Sequence, residues 1–253
     1  MQRQELVKVF KDTQLLSRKT TSGCYKQSTK WSMEDDLPPY EHLMKETELY
    51  ALDDSSVEVV NADTLTTTLG LIAEGFHPLV LNMASDYVAG GGVAKGSRAQ
   101  EEELFRRTNY DQCSNKKLYP IADKEFIVTE GVSIIKDENY DVLHEYDTAD
   151  FIAVAAVRKP RSNGTEYSND EEREIMKVKI DAIFRYAVYQ EADSLVLGAL
   201  GCGAFYNPPK AVCALFKESL ERYGKYFQKI VFAVLSEGNN RNYDVFKSLA
   251  TAG

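Results

Sequence analysis

The sequence predicts an α/β protein in which a mostly parallel sheet lies between layers of helices. Three observations carry that reading. From residue 57 onward, short apolar runs of strand length alternate with longer stretches of helical period. Two glycine-rich loops, at 90–96 and 201–203, each follow a predicted buried strand and precede a predicted helix. No internal repeat and no low-complexity tract interrupts the 253 residues.

The elements follow in order. Leu6, Val9, Phe10 and Leu16 recur at helical spacing in an N-terminal amphipathic segment. The stretch 18–55 is polar and mixed, with "DDLPPYE" expected as loop, and 1–55 is read as a helical extension packed on a single domain spanning 1–253. "VEVVN" at 57 is a strand. "ADTLTTTLGLIAEG" is a helix, with Asp63 or Thr64 as cap and Gly75 near its end. "HPLVLNMA" is a buried strand running into the first glycine loop, and "QEEELFRRTNY" a helix whose acidic first turn suits the macrodipole. "EFIVTEGVSIIKD" is expected as a hairpin, "DFIAVAAV" as a buried strand and "RKPRSNGTEYSND" as loop. Between Asp170 and Gln190, Met176, Ile180, Ile183, Phe184 and Ala187 form one apolar stripe. "SLVLGA" is a strand, "LGCGAFYNPP" the second glycine loop, and "KAVCALFKESLERYG" a helix ending at Gly224. "KIVFAVL" is the last strand and "NNRNYDVFKSLA" the closing helix.

Composition excludes several functions. A net charge of −9 is poorly suited to coating nucleic acid, because phosphate neutralisation needs cations. The cysteines at 24, 113, 202 and 213 lack CxxC spacing and nearby histidines, so no metal site is expected. The N-terminus is too charged for a signal peptide and no apolar run reaches membrane-spanning length. Cytoplasmic or nuclear residence with reduced thiols is the resulting expectation. His42, His77 and His144 show no partner pattern, and Trp31 reads as packing.

The two loops and the acids carry the chemistry. Free N–H groups at helix starts suit phosphates, and two such loops at one end of a sheet favour a diphosphate site. Neither is a P-loop or a GxGxxG turn. "GCGAF" taken alone is equally a tight turn packing a helix onto a strand. Glu101, Glu102 and Glu103 are either a solvated first turn or proton-transfer groups. Helical neighbours point about 100° apart, so at most two of the three can face one ligand and the third should look to solvent. Cys202 reads as small rather than nucleophilic, and Phe232 on the last strand is the candidate to stack on a base.

"GGGVAKGSRAQEE", a GGG-X7-QEE arrangement, resembles the signature of poly(ADP-ribose) glycohydrolases, and the short microbial-type branch most of all. "FKDTQLL", "VEVVNADTLTTTLGL", "LVLNMAS", "FIAVAAV", "LGALGCGAFYNPP" and "IVFAVL" extend the likeness, in order, over nearly the whole chain. The resemblance implies a three-layer α/β/α macrodomain-like fold with a mixed, mostly parallel central sheet. It implies hydrolysis of ribose–ribose O-glycosidic bonds without metal or cofactor. The net charge of −9 favours recognition of a chain end, with release of ADP-ribose, over a grip on a long polyanion, and a monomer is expected. Glu102 would be the catalytic acid and Glu101 would hold ribose hydroxyls. Gly90, Gly91, Gly92 and Val93 would pass close to the terminal ribose and diphosphate, beside Gln100. Gly201, Cys202, Gly203 and Ala204 would cradle the diphosphate through backbone N–H groups. Phe205 would pack on the ribose, and Asn207 would shape the loop. The alternatives are a mono-ADP-ribosyl-protein hydrolase of macrodomain type, a non-catalytic ADP-ribose reader, and a nucleotide-binding domain of unrelated chemistry. The chain departs from the branch at Ala89, where Pro is usual, at "VRKPRSNG", where a shorter loop is expected, and at Tyr206, where a small residue is common.

Overall fold

The computed structural model describes residues 1–20, 28–43, 57–236 and 241–250. Cys24 and most of the second half of the polar N-terminal stretch lie outside them. Seven strands form one sheet: β1 (Ser28–Ser32), β2 (Val57–Val60), β3 (Pro78–Met83), β4 (Glu125–Ser133), β5 (Thr148–Val154), β6 (Ser194–Leu197) and β7 (Lys229–Ala233). Their order is β1-β4-β5-β3-β6-β7-β2. The β5-β3-β6-β7-β2 portion is parallel throughout, and β1, β4 and β5 pair antiparallel, so the sheet is mixed and mostly parallel as expected.

Side-chain alternation along a strand assigns each residue to a face. Leu79 and Leu81 of β3, with Leu195 and Leu197 of β6, face one core with α6 (Asp170–Tyr189), α7 (Pro209–Tyr223) and α8 (Asn242–Phe246). Val80 and Val196 face the other, with α1 (Arg3–Thr20), α3 (Thr64–Ala73), α4 (Gln100–Arg107) and α5 (Tyr110–Cys113). Each fully buried Leu or Val contributes roughly 1.5–3 kcal/mol of transfer free energy. The predicted stripe of α6 is buried throughout, and Asn169 caps that helix by accepting the Glu171 N–H. Asp63 caps α3, accepting the Leu65 and Thr66 N–H groups at 2.9 and 3.0 Å.

Three expectations change. The segment 125–137 is not a hairpin: residues 125–133 form one bulged strand, paired with β1 on one side and β5 on the other. The polar stretch 18–55 contributes edge strand β1 and a short helix, α2 (Tyr40–Leu43). Strand β1 is secured by Trp31, whose ring packs against Phe126 and Tyr186 with centroids 6.1 and 5.2 Å away. As expected, α7 ends at Gly224, its C-cap, whose right-handed φ of −53° leads into a 3₁₀ turn over Gly224–Tyr226. Cys113 is engaged in a disulfide, whereas Cys202 and Cys213 are free thiols. No helix among the described residues is long and apolar enough to cross a membrane.

Candidate active site

The parallel strands β3, β6 and β7 end at one edge of the sheet, and the loops leaving them enclose a cavity of about 1080 Å³. Its lining includes Gly91, Gly92, Gln100, Glu101, Glu102, Gly201 and Gly203–Phe205. Both glycine loops and the acidic helix start therefore meet in one space.

Helix α4 has no side-chain cap. The first glycine loop folds beneath it and supplies N–H groups to its carboxylates. The Gly92 N–H donates to Glu102 Oε1 at 2.8 Å. The Ser85 N–H donates to Glu101 Oε2 at 2.8 Å, and the Gly90 N–H to its Oε1 at 3.2 Å. This is why glycine is needed at 91. Its φ is +51°, and a Cβ there would stand 2.7 Å from Glu102 Oε1. A side chain at 92 would strike Ser97. Gln100 binds the helix to the sheet: its Oε1 accepts the Met83 N–H at 2.9 Å and its Nε2 donates to Leu81 O at 2.7 Å.

The two acids differ in environment. Glu101 is 3% exposed, and burial pushes its carboxyl up to about 8 despite the Ser85 and Gly90 N–H groups, with Glu102 adding like-charge repulsion. Asn82, placed under α4 by the alternation of β3, donates to Glu101 Oε1 at 3.4 Å. Glu102 is also buried, yet its Oε2 has no hydrogen-bond partner among the described residues. The Glu102 residue that carries this buried, unpaired oxygen also lines the cavity. Glu103 is the one acid of the three that is partly exposed, and it also accepts from Arg106 Nη1 at 2.6 Å and from the Tyr140 hydroxyl at 2.9 Å.

The second glycine loop turns sharply at Gly201, with φ +74°, where a Cβ would collide with Ala156 and Asn207. Asn207 is buried and braces the turn. Its Nδ2 donates to Val157 O at 2.7 Å and Gly201 O at 3.3 Å, and its Oδ1 accepts the Tyr167 hydroxyl at 2.8 Å. Among the described residues the N–H groups of Gly201, Gly203, Ala204 and Phe205 have no acceptor, whereas that of Cys202 is committed to Ala199 O at 3.1 Å. A row of unpaired amides in a tight turn is an anion cradle.

Several predicted residues stand elsewhere. Cys202 does not line the cavity; its Sγ lies 3.7 Å from Leu200 O and burial raises its thiol. Val93 is a core residue, and Gly90 lies beneath the Phe105 ring, outside the lining. Phe232 is fully buried against Phe216 and Phe246, because its register on β7 faces α7 and α8, so it cannot stack on a ligand. The aromatic rings lining the cavity, among the described residues, are Tyr140 and Phe205. None of His42, His77 and His144 lines it. Sequence reasoning missed Ser85, Arg158 and Tyr140. Ser85 acts through its backbone N–H, which leaves no signal in residue type. Arg158 sits in the loop already set apart by its length.

Fold and cavity together define an α/β/α domain that sets a row of unpaired backbone amides beside a buried pair of carboxylates. Residues 8–132 match the family described as microbial-type PARG, catalytic domain. The matched segment contains the first glycine loop and the QEE turn but not the second loop. No curated protein matches the chain. Among solved structures it is similar to poly(ADP-ribose) glycohydrolase from Thermomonospora curvata, at 22% identity and a TM-score of 0.77, over 97% of this chain and 99% of that one. The same enzyme bound to the inhibitor ADP-HPD gives 22% identity and 0.75 over 96% and 98%. Poly(ADP-ribose) glycohydrolase from Deinococcus radiodurans in complex with ADP-ribose gives 23% and 0.73 over 94% and 97%.

Proposed function

We propose that the protein is a poly(ADP-ribose) glycohydrolase that hydrolyses the ribose–ribose O-glycosidic bond. The observation that carries this reading is Glu102: one carboxylate oxygen is held by the Gly92 N–H and the other is buried and unpartnered, on a side chain that lines a cavity shared with a row of unpaired amides. A ligand with a diphosphate next to the scissile ribose satisfies both halves at once.

The diphosphate binds the N–H groups of Gly201, Gly203, Ala204 and Phe205, and the Phe205 ring packs on the adjoining ribose. Glycoside cleavage usually sets two carboxylates on opposite sides of the bond. Here Glu101 and Glu102 are side by side, so Glu102 serves as the single acid and base. Its Oε2 protonates the leaving ribose oxygen and later takes a proton from water. A helix N-terminus favours the carboxylate form of such a group. Bound substrate opposes this by excluding water and bringing negative phosphate close. Glu101, carrying its own proton near neutrality, keeps the site from holding two adjacent negative charges and offers hydrogen bonds to ribose hydroxyls. The positive charge that develops on the ribose is stabilised by the substrate's own diphosphate.

We read the cut as exo-acting on a chain end. A protein of net charge −9 is better suited to one terminal unit in a pocket than to a long polyanion. On this reading the 1–253 chain works as one domain, as a monomer, in the cytoplasm or nucleus, with carboxylate chemistry alone. The test is a paired turnover assay with poly- and mono-ADP-ribosylated protein, for wild type and Glu102→Gln. Free ADP-ribose should appear from polymer without longer fragments, and the variant should lose about 10²–10⁴-fold in rate. Release only from mono-modified protein would instead make this a mono-ADP-ribosyl hydrolase. Binding without release from either would make it a reader.

A further inference from the structure

Three arginines line the cavity among the described residues: Arg98, Arg107 and Arg158. Arg107 is buried and occupied, with Nη1 2.6 Å from Asp63 Oδ1 and Nε 3.2 Å from Lys136 O. Arg98 lies one residue before the N-cap of α4, Ala99, on the side of the first glycine loop. Only Arg158 is packed on the second loop, its guanidinium carbon 4.1 Å from the centroid of the Phe205 ring. That placement is fixed by the backbone, because the Lys159 N–H donates to Phe205 O at 2.8 Å. The same guanidinium reaches across to Asp86, with Nε 3.3 Å from Oδ2 and Nη2 bonded to Oδ1. Asp86 lies four residues before Gly90 in the first loop, and its own carbonyl is held by the Ile121 N–H at 2.8 Å.

We propose that the Asp86–Arg158 pair is a clasp between the two ligand loops, and that Arg158 exchanges Asp86 for the ligand's diphosphate when the site fills. This inference rests on the glycohydrolase reading and adds to it the cation that the amide cradle lacks. The pair is half-exposed, with side-chain accessibilities of 47% and 37%, so breaking it costs little. A guanidinium binds phosphate oxygens through two parallel bonds, which suits this exchange better than an ammonium would. The stack on Phe205 keeps the head beside the unpaired amides of Gly203–Phe205 while its partner changes.

The discriminating experiment is calorimetric titration of ADP-ribose into wild type, Arg158→Gln and Asp86→Asn, at two salt concentrations, with the melting temperature of each variant recorded. The clasp predicts opposite effects. Arg158→Gln should weaken binding about tenfold and reduce its salt dependence. Asp86→Asn removes the competing carboxylate and should tighten binding about two- to threefold. Unchanged affinity in Arg158→Gln would overturn the clasp and leave the glycohydrolase reading standing. So would equal weakening by both substitutions, which would make the pair a structural strap alone. Failure of the wild type itself to bind ADP-ribose would overturn the glycohydrolase reading, and the clasp with it.

Discussion

Glu101 makes the protein's stability fall with rising pH through a window set by one buried carboxyl. Folded, that carboxyl titrates near 8, raised from its ordinary 4.5 first by burial, against the pull of the Ser85 and Gly90 N–H groups, and further by Glu102. Between those two values the folded chain keeps a proton that the unfolded chain has released. The resulting stabilisation is complete below pH 4.5 and is lost by about pH 8. At about 1.4 kcal/mol per pH unit the change across the window is roughly 5 kcal/mol. For a chain of this size each kcal/mol moves the melting temperature by about 2–4 °C, so a fall on the order of 10–20 °C is expected from this group. Other carboxylates and histidines titrate too, so the informative quantity is the difference between wild type and Glu101→Gln. The amide cannot ionise, and its missing acceptor gives an offset independent of pH. Thermal melts of both proteins from pH 4.5 to 9 should show that difference shrinking steadily, with the variant gaining relative stability at the alkaline end. A difference that stays flat to within about 1 kcal/mol would refute the assignment of a buried, proton-holding Glu101.

Two further substitutions separate positioning from folding. Gly91→Ala should cost about 1 kcal/mol of stability for a left-handed residue, yet reduce turnover far more, because the new methyl displaces Glu102 Oε1 from 2.7 Å away; melting temperature and kcat measured together check this. Asn207→Ala should destabilise by about 2–3 kcal/mol, since it leaves the Val157 carbonyl and the Tyr167 hydroxyl unpaired, and should weaken ADP-ribose binding through a loosened second loop, as read by denaturant melts and by titration.

The parallel half of the sheet was legible because its strands are buried on both faces and read as continuous apolar runs such as "LVLNM" and "SLVL". Strand β1 was not, since "STKWS" is an edge strand whose one apolar residue, Trp31, carries no period. The 125–137 error has a physical origin in Gly131. Its φ of +61° marks the bulge where the β4–β5 register shifts, and a glycine flanked by two β-rich runs looks like a hairpin turn. In the site, spacing located Gly91, Gly92, Gln100, Glu101 and Glu102 because one loop and one helix turn hold them all. Phe232 was misplaced because its strand is apolar on both faces, so residue type does not say which side it takes. Ser85 and Arg158 reach the cavity through the ends of β3 and β5, adjacent in the sheet but more than seventy residues apart in the chain.

The bonds from Gln100 to Leu81 and Met83 have a mechanical consequence. They make the start of α4 one more rung on the central strand, so Glu101 and Glu102 are mounted on the sheet itself. The unpaired amides hang instead from the second glycine loop, and Arg158 from the long excursion after β5. If Glu102 is the proton donor proposed above, those loops can change in sequence, and with them the acceptor, while the cut stays the same.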